Sequence, residues 1–211
     1  MIQGCGNVGH AHAALLQSAG ARLIMSDIDP ARAERAVRSA GAELVSAGRV
    51  MEVEGDIFAP CALGGTLDES GASRLRAAVV VGAANNQLAT PAIGDLLARR
   101  SILYVPDYVA NAGGVLSGCG EILGWRHAEV ERRIEGIGET VRQLLERAAA
   151  ENITPATAAD ALAVERLAAK KGERRRDASR SGRSGLLACR PARRSKDCTC
   201  SDALRGPATE R

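Results

Sequence analysis

An α/β fold with a doubly wound, mainly parallel sheet is predicted from three features of the sequence. Short apolar runs alternate with helical stretches as far as about residue 127, which is typical of parallel strands joined by helical crossovers. A glycine-rich turn at residues 4–9 leads into the first helical stretch. Aromatic residues make up only 2% of the 211 residues, so the core must be aliphatic, a composition that suits buried parallel strands.

The predicted strands cover residues 1–3, 22–27, 56–59, 78–82 and 101–105. The first is truncated, since a strand usually has about five or six residues. It follows that the sequence begins inside a strand. Helices are predicted from residue 11 to a closing Gly20, from Pro30 at a first helical position to about Ser39, and over residues 90–100.

The C-terminal part is predicted to be helical and then disordered. From about residue 128, apolar residues recur at steps of three and four, the period of a long amphipathic helix. They are Val130, Ile134, Ile137, Val141, Leu144 and Ala148. A second helix is predicted from Thr154-Pro155 through Leu167, and residues 170–211 form a basic tail without periodicity. The predicted domains are therefore residues 1–169, a nucleotide-binding domain with C-terminal helices, and residues 170–211.

The basic tail gives two possible sites, and neither is favoured. Arginine clusters at residues 174–176 and 193–194 could contact nucleic acid electrostatically, but no aromatic residues interleave them. Cys189, Cys198 and Cys200 lack the usual zinc spacing. Solvated disorder, or translation past a frameshift, is therefore the preferred interpretation, and neither a metal nor a nucleic-acid partner is expected.

The cellular setting is predicted from what the sequence lacks. No apolar run is long enough to cross a membrane, and no signal peptide precedes the first motif. Six cysteines are spread along the chain. A reduced, cytoplasmic protein with no membrane partner is the expectation.

The glycine-rich turn has the spacing of a dinucleotide-binding motif. Gly4, Gly6 and Gly9 form G-x-G-x-x-G at the head of a helix. The first glycine permits a tight turn, the second lets the backbone approach a pyrophosphate, and the third lets helix and strand pack closely. The intervening Asn7 and Val8 are included among the predicted cofactor contacts. Glycine-rich turns without a ligand are common, so the motif alone is a weak signal.

An acidic residue at the end of the second strand strengthens this interpretation. Asp27 lies 18 residues after Gly9, where an acid is expected to bind the adenosine ribose hydroxyls, and Ile28 follows it. The alternative is a helix-capping aspartate, a role for which Asp29 is a rival. A carboxylate there would repel a 2′-phosphate, which favours NAD over NADP in a Rossmann-type fold, although Arg32 nearby leaves that preference open.

Three later segments are more distinctive than the glycine turn. They are residues 56–64 (DIFAPCALG), 82–89 (GAANNQLA) and 106–115 (PDYVANAGGV). Each follows an apolar run, so each is predicted at the carboxyl edge of the sheet, where ligands bind. In this order they closely resemble the cofactor domain of the Glu/Leu/Phe/Val amino-acid dehydrogenases, nearest to the leucine, valine and phenylalanine members. The resemblance runs from Ile2 to about Leu167.

The resemblance implies roles for individual residues. The glycine turn would hold the pyrophosphate and Asp27 the adenosine ribose. The turns that contain Cys61 and Ala62, and Ala83 to Asn85, would line the nicotinamide side. Asn85 and Asn111 would orient the nicotinamide ribose and the substrate, and Val115 would border the substrate side chain. These site residues are Gly4, Gly6, Asn7, Val8, Gly9, Asp27, Ile28, Cys61, Ala62, Ala83, Asn85, Asn111 and Val115.

Structural alternatives exist for several of these positions. Asn85 and Asn86 could simply form a turn, and Gly113-Gly114 could begin a helix. Cys61 is better explained as a small buried residue than as a nucleophile, because no histidine lies near it in the sequence.

The family reaction transfers a hydride from the α-carbon of an amino acid to nicotinamide, and the resulting imine is hydrolysed to ammonia and a 2-oxo acid. The resemblance implies catalytic lysines in an N-terminal domain that precedes the glycine turn, yet no lysine precedes Lys170 in this sequence. The expectation is a chain that supplies the cofactor domain, contains no catalytic residue, binds NAD weakly and does not turn over amino acids. The full-length protein would be a homo-oligomer.

Other functions compete with this interpretation. A non-catalytic NAD-binding module or an inactive gene fragment would show the same motifs. A different Rossmann oxidoreductase is disfavoured by the three later segments. The glutamate-specific branch would need a basic partner for the substrate side chain, whereas residues 111–115 are small or apolar apart from the asparagine. An apolar amino acid is therefore the predicted substrate.

Overall fold

The structure, a computed structural model, describes residues 1–184 and contains a six-stranded parallel sheet with helices along it. The strands are β1 (Ile2–Gln3), β2 (Ile24–Ser26), β3 (Glu43–Leu44), β4 (Gly55–Pro60), β5 (Ala77–Val80) and β6 (Leu103–Tyr104). Their spatial order is β3-β2-β1-β4-β5-β6, and every pairing is parallel. This is the Rossmann order, in which the direction of winding reverses between β1 and β4. The predicted doubly wound α/β fold is confirmed.

Eight α-helices and one short 3₁₀ segment, Val50–Glu52, accompany the strands in the described part of the chain. The helices are α1 (Asn7–Ser18), α2 (Pro30–Ala40), α3 (Glu69–Arg74), α4 (Ala92–Arg99), α5 (Asp107–Ala110), α6 (Gly113–Leu123), α7 (His127–Glu151) and α8 (Pro155–Ser184). None of these helices is both long and apolar enough to cross a membrane.

The centre of the sheet is built from small and aliphatic side chains. In β1, Ile2 pairs with Met25 of β2 on one side and with Ala59 of β4 on the other, and all three side chains are buried. A second cluster surrounds Phe58, the single phenylalanine of the chain, together with Leu97 of α4. β1 comprises two residues held between two neighbouring strands.

The predicted amphipathic stripe on α7 provides part of a third apolar cluster. Leu144 and Ala148 are buried against Ala158 and Ala159 of α8, with Ile153 at the turn between the helices. Towards its N-terminus, α7 contacts α6. There Trp125 packs beside Gly120. The guanidinium of Arg133 lies 4.0 Å from the centroid of the Trp125 ring. A stripe of aliphatic side chains at helical spacing thus attaches the C-terminal helices to each other.

The helical structure extends further than the sequence suggested. α8 ends at Ser184, beyond residue 170, where the disordered tail was predicted to start. Lysine, arginine, glutamate and alanine are good helix formers. The contacts within the chain divide it into two compact units, and the first unit ends at Arg166. The second arginine cluster and the three tail cysteines lie outside the described residues.

Candidate cofactor site

The three glycines of the first turn meet different surroundings. Gly4 has a φ of 99°, and a Cβ there would lie 2.9 Å from the backbone nitrogen of Ala62. A Cβ at Gly9 would lie 1.9 Å from the carbonyl oxygen of Gly4. At Gly6 a Cβ would have no protein atom within 4 Å. The fold itself therefore requires glycine at the first and third positions, whereas the second faces open space.

The N-terminus of α1 lies beside this open face. α1 begins at Asn7, and both Asn7 and Val8 are exposed. Gly6 occupies the N-cap position without a capping side chain. Free backbone N–H groups and the helix dipole at such a terminus favour an anionic ligand group.

Asp27 directly follows β2 and is hydrogen-bonded to the glycine turn. Its Oδ2 accepts from the backbone N–H of Cys5 at 2.6 Å, and its Oδ1 accepts from the N–H of Asp29 at 2.8 Å. A carboxylate has about four lone-pair positions, so both oxygens retain capacity to accept from hydroxyl groups. Ile28, the next residue, is 88% exposed. The predicted acid and the predicted phosphate turn are thus adjacent in space.

Asp29, and not Asp27, caps the helix that follows β2. Asp29 is the N-cap of α2, and its Oδ1 accepts from the backbone N–H groups of Ala31 at 2.9 Å and of Arg32 at 3.4 Å. The Arg32 Nε lies 3.3 Å from Asp29 Oδ2. Because Asp29 caps the helix, Asp27 is not needed for that role.

Replacing Asp29 with alanine is expected to lower the free energy of unfolding by about 1 kcal/mol, since two backbone N–H groups lose their acceptor. Urea denaturation measures the change. Asp29→Asn is the matched control, because it keeps an acceptor and should cost only a few tenths of a kcal/mol. An unchanged free energy in Asp29→Ala would show that the cap contributes nothing.

Two cysteines near the glycine turn are poor nucleophiles. Burial, together with the nearby Asp27 and Cys61, raises the pKa of the Cys5 thiol to about 11. Burial also raises the pKa of Cys61, although a hydrogen bond from the backbone of Ala83 acts in the opposite direction. Thiols with raised pKa values stay protonated near neutral pH. The interpretation of Cys61 as a packing residue is favoured.

The turns after β4 and β5 are packed directly against each other. A Cβ at Gly82 would lie 2.4 Å from the carbonyl oxygen of Pro60, and the Ala84 N–H donates to that same oxygen at 2.9 Å. A Cβ at Gly64 would lie 2.5 Å from the carbonyl oxygen of Asn85. Glycine at these two positions permits the close approach. Ala62 is exposed and Ala83 half-buried at this junction.

Asn85 and Asn111 are brought together by the fold. The Nδ2 of Asn111, the residue after α5, donates to Oδ1 of Asn85 at 2.6 Å and to the carbonyl oxygen of Ala84 at 3.4 Å. The two asparagines are 26 positions apart. Their side chains form an amide pair at the carboxyl edge of β5 and β6, and both retain further donor or acceptor capacity.

Sequence reasoning gave no role to Gln87 or Asp107. Gln87 is fully buried, and its Nε2 donates to the carbonyl oxygens of Gly82 at 2.8 Å and Ala84 at 3.0 Å. Asp107 accepts the backbone N–H of Asn86 at one oxygen, and the hydroxyl of Tyr104 lies 3.1 Å from the other. Neither residue changes the apolar pattern from which the strands and helices were predicted. Only the segments that contain them, residues 82–89 and 106–115, could have pointed to a role for them.

Val115 lies within a helix rather than in a turn. α6 begins at Gly113, so the alternative that Gly113-Gly114 starts a helix is correct. Val115 is 69% exposed. Its predicted place beside a substrate side chain stays a prediction.

The family described as Glutamate/Leucine/Phenylalanine/Valine dehydrogenase matches residues 25–175. The chain belongs to this family. It is 40% identical to a leucine dehydrogenase of Bacillus cereus over 173 residues, which are 82% of this chain and 47% of that protein. A phenylalanine dehydrogenase of Thermoactinomyces intermedius is 40% identical over 168 residues, 79% of this chain and 46% of the relative.

Solved structures of the dehydrogenase family show the same fold. The crystal structure of L-tryptophan dehydrogenase from Nostoc punctiforme matches with a TM-score of 0.78 and 37% identity, over 81% of this chain and 52% of the other. The chain spans about half the length of the curated relatives it matches. The predicted family resemblance is confirmed.

Proposed function

We propose that the chain binds NAD along the carboxyl edge of its sheet, as the cofactor-binding half of a dehydrogenase that deaminates an apolar L-amino acid. The observation that carries the proposal is a continuous row of contacts. Asp27 is hydrogen-bonded to the glycine turn, and Cys61 lies against that turn at Gly9. The Ala84 N–H donates to the carbonyl of Pro60, and Asn111 donates to Asn85. An extended dinucleotide requires such a row of groups across the switch point of the sheet.

A preference for NAD over NADP is supported by the charges near Asp27. The Asp27 carboxylate would repel a 2′-phosphate on the adenosine ribose, and it would accept hydrogen bonds from two hydroxyl groups. An NADP site usually provides an arginine for that phosphate. Arg32, the candidate that left this preference open, pairs with Asp29 instead.

The residues of this chain would bind and orient rather than transfer protons. When bound, NAD accepts the hydride from the amino-acid α-carbon. The Asn85–Asn111 pair would fix the nicotinamide side relative to the substrate. We assign no catalytic residue here, because residues 1–169 contain no lysine to hold a substrate carboxylate or act in acid–base chemistry. Glycine, alanine and valine at residues 112–115 support an apolar substrate.

Calorimetric titration of the 211-residue chain with NAD tests the proposal. One NAD is expected to bind per chain, and mixing with NAD and leucine, valine or phenylalanine should produce no NADH absorbance. The matched control is Gly6→Ala, which should keep the stability of the fold but bind NAD at least about tenfold more weakly, since its methyl would face the pyrophosphate.

A folded chain that fails to bind NAD would contradict the cofactor assignment. Leucine-dependent NADH formation would show instead that the chain contains catalytic groups we have not assigned. The absence of lysine from residues 1–169 also favours a second candidate, a non-catalytic NAD-binding module. That module would bind NAD tightly on its own, whereas half of a dehydrogenase site should bind it weakly.

A further inference from the structure

We propose that Gln87 and Asp107 are positioning residues that set the nicotinamide end of the site by holding the Asn85–Asn111 pair from two sides. The inference rests on the proposed NAD function. Both residues act through the turn at residues 82–87, and neither belongs to the glycine turn or to β2. The two ends of the cofactor site would therefore be supported by separate sets of contacts.

Gln87 fixes the backbone of this turn from within the core. Its side-chain amide donates one hydrogen bond to the carbonyl of Gly82 and one to the carbonyl of Ala84. The Ala84 carbonyl is also the second acceptor for the Nδ2 of Asn111. Because Gln87 is fully buried, water would not replace these donors in a variant that lacks them. The orientation of the Ala84 peptide, and with it the place of Asn111, depends on this glutamine.

Asp107 fixes the other side of the same turn. Its carboxylate accepts from the backbone N–H of Asn86, which has a φ of 51°. This left-handed conformation is costly for most residues and is tolerated by asparagine. The hydroxyl of Tyr104 lies 3.1 Å from the second carboxylate oxygen. Tyr104 ends β6, so the carboxylate is anchored to the sheet.

The short helix α5 joins this anchor to the amide pair. Asp107 is its first residue, and Asn111 is the residue after its last, with the Asn111 N–H donating to the Asp107 carbonyl at 2.8 Å. A displacement of Asp107 would therefore move Asn86 and Asn111 together. Asp27 directly follows β2 and Cys5 belongs to the glycine turn, so the adenosine end should stay unaffected.

The test compares two ligands on the 211-residue chain: NAD, and ADP, which lacks both nicotinamide and its ribose. Gln87→Met keeps a similar volume but removes the side-chain donor to the Gly82 carbonyl and one of the two side-chain donors to the Ala84 carbonyl. We expect NAD to bind about tenfold more weakly to this variant while ADP affinity changes by less than about twofold. The matched control is Gln143→Met, since Gln143 is an exposed residue of α7 and should leave both affinities unchanged.

Asp107→Asn provides a second variant that keeps the shape and one acceptor. It should show the same selective loss, about threefold, and remains informative if Gln87→Met does not fold. Equal weakening of both ligands, or of neither, in a folded variant would overturn the positioning role and leave the proposed function standing. A folded wild-type chain that binds neither ligand would overturn the proposed function and this inference with it.

Discussion

Replacing Gly9 with alanine is expected to lower the free energy of unfolding by about 3 kcal/mol, the upper end of the usual cost of overpacking. The added Cβ would lie 1.9 Å from the Gly4 carbonyl oxygen. Its two nearest neighbours, the carbonyl oxygen and carbon of Gly4, are backbone atoms, so no flexible side chain can turn away from the contact. The turn and α1 would have to separate, which would also weaken NAD binding. Urea denaturation of both proteins measures the change.

The same substitution at another helical glycine is the matched control. Gly138 lies within α7, and a Cβ there would have no neighbour within 4 Å. Gly138→Ala should raise stability by up to about 1 kcal/mol, because alanine has the higher helix propensity. A Gly9→Ala protein as stable as the wild type would contradict the close packing of α1 on the first turn.

Replacing Asp27 with asparagine is expected to reduce the ratio of NAD affinity to NADP affinity by at least about tenfold. The neutral amide would remove the repulsion of a 2′-phosphate and would weaken the acceptor for the ribose hydroxyls. It would keep one oxygen for the backbone N–H of Cys5 or Asp29, so the turn should survive. Titration with each dinucleotide provides the two dissociation constants.

Asp95→Asn serves as the control for a general effect of charge. Asp95 is an exposed aspartate of α4, and its neutralisation should leave the ratio unchanged. If Asp27→Asn weakened NAD and NADP equally, the carboxylate would be only a structural acceptor for the glycine turn. The preference for NAD would then require another explanation.

Much of the fold was predictable because local patterns and packing agree. The runs that became β4 and β5 are apolar, continuous and bounded by turn residues. The first residue of α2 is a proline preceded by a capping aspartate, and its C-cap is Gly41 with a φ of 57°. Such signals are local, so they can be recognised without knowledge of the partners. The acid at the end of β2 and the glycine spacing could be recognised in the same way.

Other elements were not predictable because their order comes from tertiary contacts. β3 comprises Glu43 and Leu44, which are both exposed. It is defined by its pairing with β2 and not by an apolar run in the sequence. Gln87 is a polar residue in the core. Its hydrogen bonds to the backbone carbonyls of Gly82 and Ala84 compensate for the loss of hydrogen bonds to water. The contact between Asn85 and Asn111 joins two turns that only the parallel register of β5 and β6 places side by side.

NAD titrated into the isotope-labelled 211-residue chain and followed by backbone amide NMR tests the central claim most directly. The account predicts that the largest shifts occur at Gly4 to Gly9, Asp27, Ala83 to Asn85 and Asn111, the residues along the carboxyl edge of the sheet. A cleft of about 900 Å³ adjoins this edge, since Gln87 and Asp107 line it together with Asp95 of α4 and Asp160 of α8. Shifts confined to Asp95, Asp160 and their neighbours in α4 and α8, or no shifts in a folded chain, would contradict the account.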